Sequence, residues 1–183
     1  MQSQSNHFHA VQFYKDAGSL AGTVATFIAD GLQSGQPALI VASSAHAAGI
    51  IRALEAAGID VAEARSTGEL QVLDARKMLS AFMVAGRPDP LLFKSNAGDV
   101  IERLCAGRVP CPIRVYGEMV DLLWQDGNED GAIRLEILWN QLASAYDFSL
   151  LCGYAVGHFY KETRDPRYDH VCQQHTHVIS PAM

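Results

Sequence analysis

Short apolar, β-branched or aromatic runs alternate with helix-period segments along the whole chain, and this alternation constrains the fold more than any other feature. Residues 37–42 (PALIVA) are continuously apolar, as a strand buried on both faces must be. Residues 9–14 (HAVQFY), 69–74 (ELQVLD), 110–117 (PCPIRVYG) and 149–154 (SLLCGY) read as further strands, and 177–179 offer a short last one. Between them, Leu20, Val24, Phe27, Ile28 and Leu32 fall on one helical face that Gly35 ends. A second helix runs from the caps Ser43 and Ser44 to Ala57, with Gly58 in the C′ position. Further helices are expected through Phe82 and Met83, over 90–105, on either side of Asp126-Gly127-Asn128, and after Asp165, with 86–90 (GRPDP) as the clearest loop. Strands regularly separated by helices predict a mainly parallel sheet covered on both faces, a three-layer α/β/α sandwich. Ligands in such folds bind beyond the carboxyl ends of the strands. That edge carries Tyr14, Lys15 and Asp16, Ser43 and Ser44, Asp74, Gly117 and Glu118, and Gly153 and Tyr154.

The chain has 183 residues, which fits one domain over 9–179 with tails at 1–8 and 180–183. Its net charge is −6 and it has no Lys/Arg run, so no direct nucleic-acid or anionic-membrane contact is expected. No apolar run approaches the length of a membrane span, and no charged leader followed by an apolar stretch opens the sequence. A cytoplasmic setting is therefore expected. The cysteines, at 105, 111, 152 and 172, form no CxxC pair, and free, buried thiols are expected at Cys105 and Cys152.

Several segments together resemble one family. They are 9–14 (HAVQFY), 27–32 (FIADGL) with Gly35, 114–124 (RVYGEMVDLLW), 135–140 (LEILWN), 151–154 (LCGY) and 172–175 (CQQH). This ordered set is similar to the MEDS domain, a sensory module of bacterial and archaeal signalling proteins. The resemblance runs from about His9 to His177. It implies a fold similar to RecA-like and KaiC-like ATPases and a role in sensing hydrocarbon derivatives. It also implies output through a separate partner, such as a histidine kinase or a transcription regulator.

An ATPase of that architecture needs Gly-x-x-x-x-Gly-Lys-[Ser/Thr] to surround the phosphates. At the matching place this chain reads YKDAGSLAGT over 14–23, with Gly18 and Gly22 but no Lys before Thr23. ATP hydrolysis is not expected, while nucleotide binding without hydrolysis stays open as an alternative. Glu118 is either a pocket carboxylate or a helix-start carboxylate that favours the dipole of 119–124. Glu136 shares a helical face with Ala132, Ile133, Trp139 and Asn140, where a lone carboxylate is costly unless paired or protonated. Its partner is expected to be a core Arg, with Arg114 the natural candidate, or else it walls a polar pocket with Asn140.

His9 and His175 are expected to hydrogen-bond within the structure or pocket, and His7 and His177 to lie on the surface. Cys172 and His175 are weak candidates for a metal, because their spacing matches no standard finger. No cofactor is required, and noncovalent haem on a single His stays open. The aromatics suit a core, yet Tyr14, Tyr116, Trp124 and Tyr154 fall at or just past strand ends, as a mostly apolar pocket would want. The expected function is thus a non-catalytic sensor of a small apolar or aromatic molecule. Its site would use His9, Phe13, Tyr14, Tyr116, Glu118, Trp124, Glu136, Asn140, Cys152, Tyr154 and His175. A protein-interaction adaptor without a small ligand is the other alternative, and a homodimer is left open.

Overall fold

A computed structural model describes residues 7–158 and 166–180. Most of the expected tail residues, 1–6 and 181–183, and Asp165 lie outside the described residues. The elements run β1 (His9–Tyr14), α1 (Ala17–Gln33), β2 (Ala38–Ala42), α2 (Ser44–Ala56), α3 (Val61–Ser66) and β3 (Leu70–Asp74). Then come α4 (Ala75–Ser80), β4 (Met83–Val84), β5 (Arg87–Pro88), α5 (Pro90–Leu104), β6 (Ile113–Gly117), α6 (Met119–Gln125) and α7 (Glu129–Leu142). The last are β7 (Phe148–Ala155), a 3-10 turn (Val156–His158), α8 (Pro166–Gln173) and β8 (His177–Ile179).

Six strands form one sheet in the order β3-β2-β6-β7-β1-β8, and every pairing is parallel. Side chains alternate across it, as the period of two requires. Val11, Phe13, Leu39, Val41, Val115, Leu150, Cys152 and Tyr154 enter one core with α4 to α8. Ala10, Tyr14, Ala38, Ile40, Tyr116 and Leu151 enter the other with α1 to α3. The fold is the three-layer α/β/α sandwich that the alternation predicts. Burial on both faces explains the apolar run at β2, where all five residues are buried.

Three local expectations are corrected. Phe82 and Met83 do not continue a helix, because α4 ends at Ser80 and Met83–Val84 pairs antiparallel with Arg87–Pro88. Part of the expected loop is therefore a strand, and Ala85 and Gly86, both at positive φ, make the reversal between the two. Cys105 is not a free thiol but is disulfide-bonded to Cys111, whereas Cys152 is free and buried as expected. Helix α3 has no counterpart in the sequence reading. Its Asp60 cap accepts from the Glu63 N–H at 2.9 Å. Among the described residues no helix is long and apolar enough to cross a membrane.

Candidate functional site

The chain runs from β1 to β2 to β3 in one direction across the sheet, then returns to β6 and continues the opposite way through β7. The carboxyl ends of β2 and β6 therefore flank the point where strand order reverses, and a crevice site belongs there. Glu118, just past β6, bridges the two strands. Its Oε1 accepts from the Ser43 N–H at 2.5 Å, and its Oε2 pairs with His46 Nδ1 at 2.7 Å and accepts from the Tyr116 hydroxyl at 2.9 Å. Glu118 stands at the N-cap position of α6, but its side chain makes no capping bond to that helix. Burial alone would raise the Glu118 pKa, but the His46, Ser43 and Tyr116 contacts outweigh it and hold the carboxyl below its ordinary value. The hydrogen bond to Glu118 correspondingly raises His46.

Beside this group, Asp121 on α6 accepts from the Tyr14 hydroxyl at 3.1 Å, Gln125 Nε2 at 2.8 Å and the Ala155 N–H at 3.0 Å. Burial, followed by the Asp121 charge, pushes the Tyr14 phenol upward, so the hydroxyl stays a donor. Gly153 on the adjoining strand has a specific job here. A Cβ at that position would lie 2.7 Å from the Tyr116 Oη, so glycine leaves room for the hydroxyl that donates to Glu118. Sequence reasoning missed His46 and Asp121. His46 sits in the first turn after Ser43, and Asp121 stands three residues after Glu118. Both positions could have been found by following the strand-end edge into the first helical turn.

A second polar cluster lies on the other face of the sheet, beneath α7 and the segment between α8 and β8. Glu136 is fully buried there. Its Oε1 accepts from the Tyr154 hydroxyl at 2.9 Å and lies 3.3 Å from His175 Nε2. Its Oε2 lies 3.2 Å from His9 Nε2 and 3.4 Å from Cys152 Sγ. The expected pairing with Arg114 is corrected. Arg114 alternates to the α1 side of β6, where it bonds Gln36 Oε1 at 3.0 Å and the Phe27 carbonyl at 3.3 Å. Burial would raise Glu136, but the His175 and His9 contacts override it and hold the group well below its ordinary value.

Asn140 faces the same cluster. Its Oδ1 lies 2.8 Å from His9 Nδ1, and its Nδ2 donates to the Gln174 carbonyl at 3.0 Å. Phe13 and Trp124 pack against the Tyr154 ring, at 6.0 and 5.8 Å between centroids. Cys172 is not among the converging ligand-type atoms, whereas Cys152 is. His177 is exposed as expected, but His7 is partly buried, edge-on to Phe148 at 4.8 Å.

The sequence-derived site residues thus divide between two places. Tyr14, Tyr116 and Glu118 meet at the carboxyl edge on the α1–α3 side. His9, Phe13, Trp124, Glu136, Asn140, Cys152, Tyr154 and His175 gather on the α7 side. Prominent surface depressions lie elsewhere, one along α7 at Ile133, Ile137 and Leu138, another beside β3 and α4 at Leu73, Met78 and Val100.

The sequence model of one family, MEDS (methanogen/methylotroph, DcmR sensory domain), matches residues 8–176. The chain belongs to the MEDS family. The match covers nearly the whole chain, from the residue before β1 to the residue before β8, and so includes every residue of both clusters. Among curated proteins none matches the chain. As a MEDS domain the protein has a sensory role, and the parallel sheet is compatible with the RecA-like comparison.

Proposed function

We propose that this MEDS domain is a non-catalytic sensor that binds a small apolar or aromatic molecule carrying a polar handle. The site is the carboxyl edge around Tyr14, Tyr116, Glu118 and Asp121, and the signal passes to a separate histidine kinase or transcription regulator. The observation that carries this reading is Glu118, a buried carboxylate tying β2 to β6 where the strand order reverses. A ligand that takes over one of its three contacts shifts β2 against β6. Partly exposed His46 is the side from which such a molecule arrives.

The start of α1 argues against phosphate chemistry. Asp16 caps this helix through its own carboxylate, with Oδ1 accepting from the Ser19 N–H at 2.8 Å. The Asp16 carboxylate thus occupies the N-terminus that a nucleotide phosphate would need, and Gly22 stands before Thr23 where a phosphate-binding loop needs its Lys.

The test is a thermal-shift screen of small hydrocarbons, halocarbons and aromatic metabolites. A true ligand at about a hundred times its Kd should raise Tm by roughly 5–10 °C for a domain of this size. Glu118→Gln and Tyr14→Phe should each reduce that ligand-dependent rise. A ligand whose shift is untouched by both variants would move the site elsewhere, and a broad screen without any ligand would sink the proposal.

A further inference from the structure

His9, Glu136, Cys152 and His175 present two imidazole nitrogens, one carboxylate oxygen and one thiol sulfur, all within 4.8 Å of one another. The four residues come from β1, α7, β7 and the segment before β8. Their side chains are tied from outside in a way that sets the ring tautomers. The Val171 carbonyl can only accept, so His175 Nδ1 donates to it, at 2.6 Å. The Asn140 amide spends its NH₂ on the Gln174 carbonyl, which leaves its oxygen to accept from His9 Nδ1 at 2.8 Å. Both Nδ1 atoms therefore carry protons. In the neutral rings both Nε2 atoms are bare lone pairs, directed at Glu136.

Protons alone do not satisfy this arrangement. If both rings are neutral, lone pairs face a carboxylate at 3.2 and 3.3 Å. If both are charged, the interior carries two cations against the one carboxylate they share. If His175 alone is charged, it pairs with Glu136 at 3.3 Å and His9 Nε2 can accept from the Cys152 thiol at 3.4 Å, but the His175 N–H makes no well-aligned hydrogen bond. His175 Nε2 is in fact a buried nitrogen without a hydrogen-bond partner, on a side chain that is 0% exposed.

A divalent cation resolves all three difficulties. With neutral imidazoles, ionised Glu136 and the Cys152 thiolate, the site sums to zero charge, as a buried site should. Zinc bonds of roughly 2.0–2.3 Å place tetrahedral donors roughly 3.3–3.7 Å apart. His9 Nε2, Cys152 Sγ and Glu136 Oε2 lie 3.2, 3.4 and 3.4 Å from one another, and His175 Nε2 lies 3.3 Å from the other oxygen of the same carboxylate.

We propose that His9 Nε2, Glu136, Cys152 Sγ and His175 Nε2 bind one late first-row dication of the zinc class. Asn140 and the Val171 carbonyl are the positioning groups that orient the two rings, and Tyr154 does the same for the carboxylate. The four protein ligands close the coordination sphere, so the ion is structural. It fastens the segment carrying His175 to the core. Among the described residues β8 pairs with β1 alone, so displacement of this edge segment is the route by which the ion enters and leaves.

The full chain, purified without chelator, is analysed for metals, then stripped and titrated with Zn²⁺ alone and Co²⁺ alone. The expected result is one ion per chain, a higher Tm with zinc, and a tetrahedral cobalt spectrum with a thiolate-to-metal charge-transfer band. Cys152→Ser should lose that band. Asn140→Ala should keep it while weakening zinc affinity by about 10–100-fold. An adventitious ion only, below one per chain and removed by dialysis, overturns the site. So does a cobalt spectrum without the thiolate band, or undiminished binding in a His9→Gln/His175→Gln double variant. Should Cys152→Ser fail to fold, the spectrum of the unaltered protein still decides.

Discussion

Glu118 and His46 illustrate how much can rest on one residue pair. The imidazole lies 2.7 Å from a carboxylate that is almost wholly buried, and each holds the other in its charged form. His46 is raised above its ordinary 6.5, so its stabilisation is complete below that value and disappears as pH climbs through the raised pKa. Glu118 is lowered below its ordinary 4.5, so its share is complete above that value and disappears as pH falls through the depressed pKa. The pair therefore stabilises the fold most between about pH 4.5 and about pH 6.5. Urea unfolding from about pH 4 to about pH 9 should show His46→Gln losing most stability relative to the unaltered protein inside this window. The difference should shrink towards the alkaline end. A difference that is constant across pH would mean that His46 is neutral throughout.

At the scale of elements, α7 governs the second cluster because it carries both Glu136 and Asn140. Its start is fixed by Asn128, whose Oδ1 accepts from the Gly131 N–H at 3.0 Å while its Nδ2 donates to the Gly86 carbonyl at 2.7 Å. One side chain thus caps the helix and ties it to the β4–β5 reversal. Asn128→Ala should cost about 1–2 kcal/mol, the upper part of the range for a lost cap, read from the urea midpoint with an unchanged m-value. A loss well below about 0.5 kcal/mol would show that water replaces the cap. The helices and strands most legible in the sequence were those with strong periodic or continuous apolar patterns, such as α1 and β2. Helix α3 is only six residues long and lacks the length over which a period can be read. The two-residue strands β4 and β5 have no pattern at all, and only the turn between them carries a local signal. The residues that gather in the two clusters could mostly be named from the sequence by type, but their division between the two faces of the sheet could not. Parity within β6 separates Tyr116 from Val115. Only the long-range register Tyr116↔Leu151 reveals that Tyr116 and Tyr154 face opposite layers.

At the scale of the molecule, the sheet's ends differ from its centre in how firmly they are held. β2, β6, β7 and β1 each have strands on both sides, whereas β3 and β8 are edges. β8 is also short, and the segment before it depends on a few specific anchors. Thr176 supplies three of them: its Oγ1 accepts from the His9 N–H at 2.9 Å and donates to the His9 carbonyl at 3.0 Å, and its N–H donates to that carbonyl at 2.7 Å. Val171 on α8 adds an apolar plug that is 0% exposed. Local opening free energies follow the density of such contacts, so residues 166–180 should form the least protected cooperative unit among the described residues. Thr176→Val removes the hydroxyl and leaves the His9 N–H without its partner, while conserving volume. The backbone bond from residue 176 to the His9 carbonyl survives. The lost bond and the stranded donor together cost about 1–3 kcal/mol. Native-state hydrogen exchange should therefore accelerate by about 5–150-fold across 166–180, with β2 and β6 unchanged. Uniform acceleration throughout the sheet would instead mean that the C-terminal segment unfolds only with the whole domain, and that its docking is not a separate equilibrium.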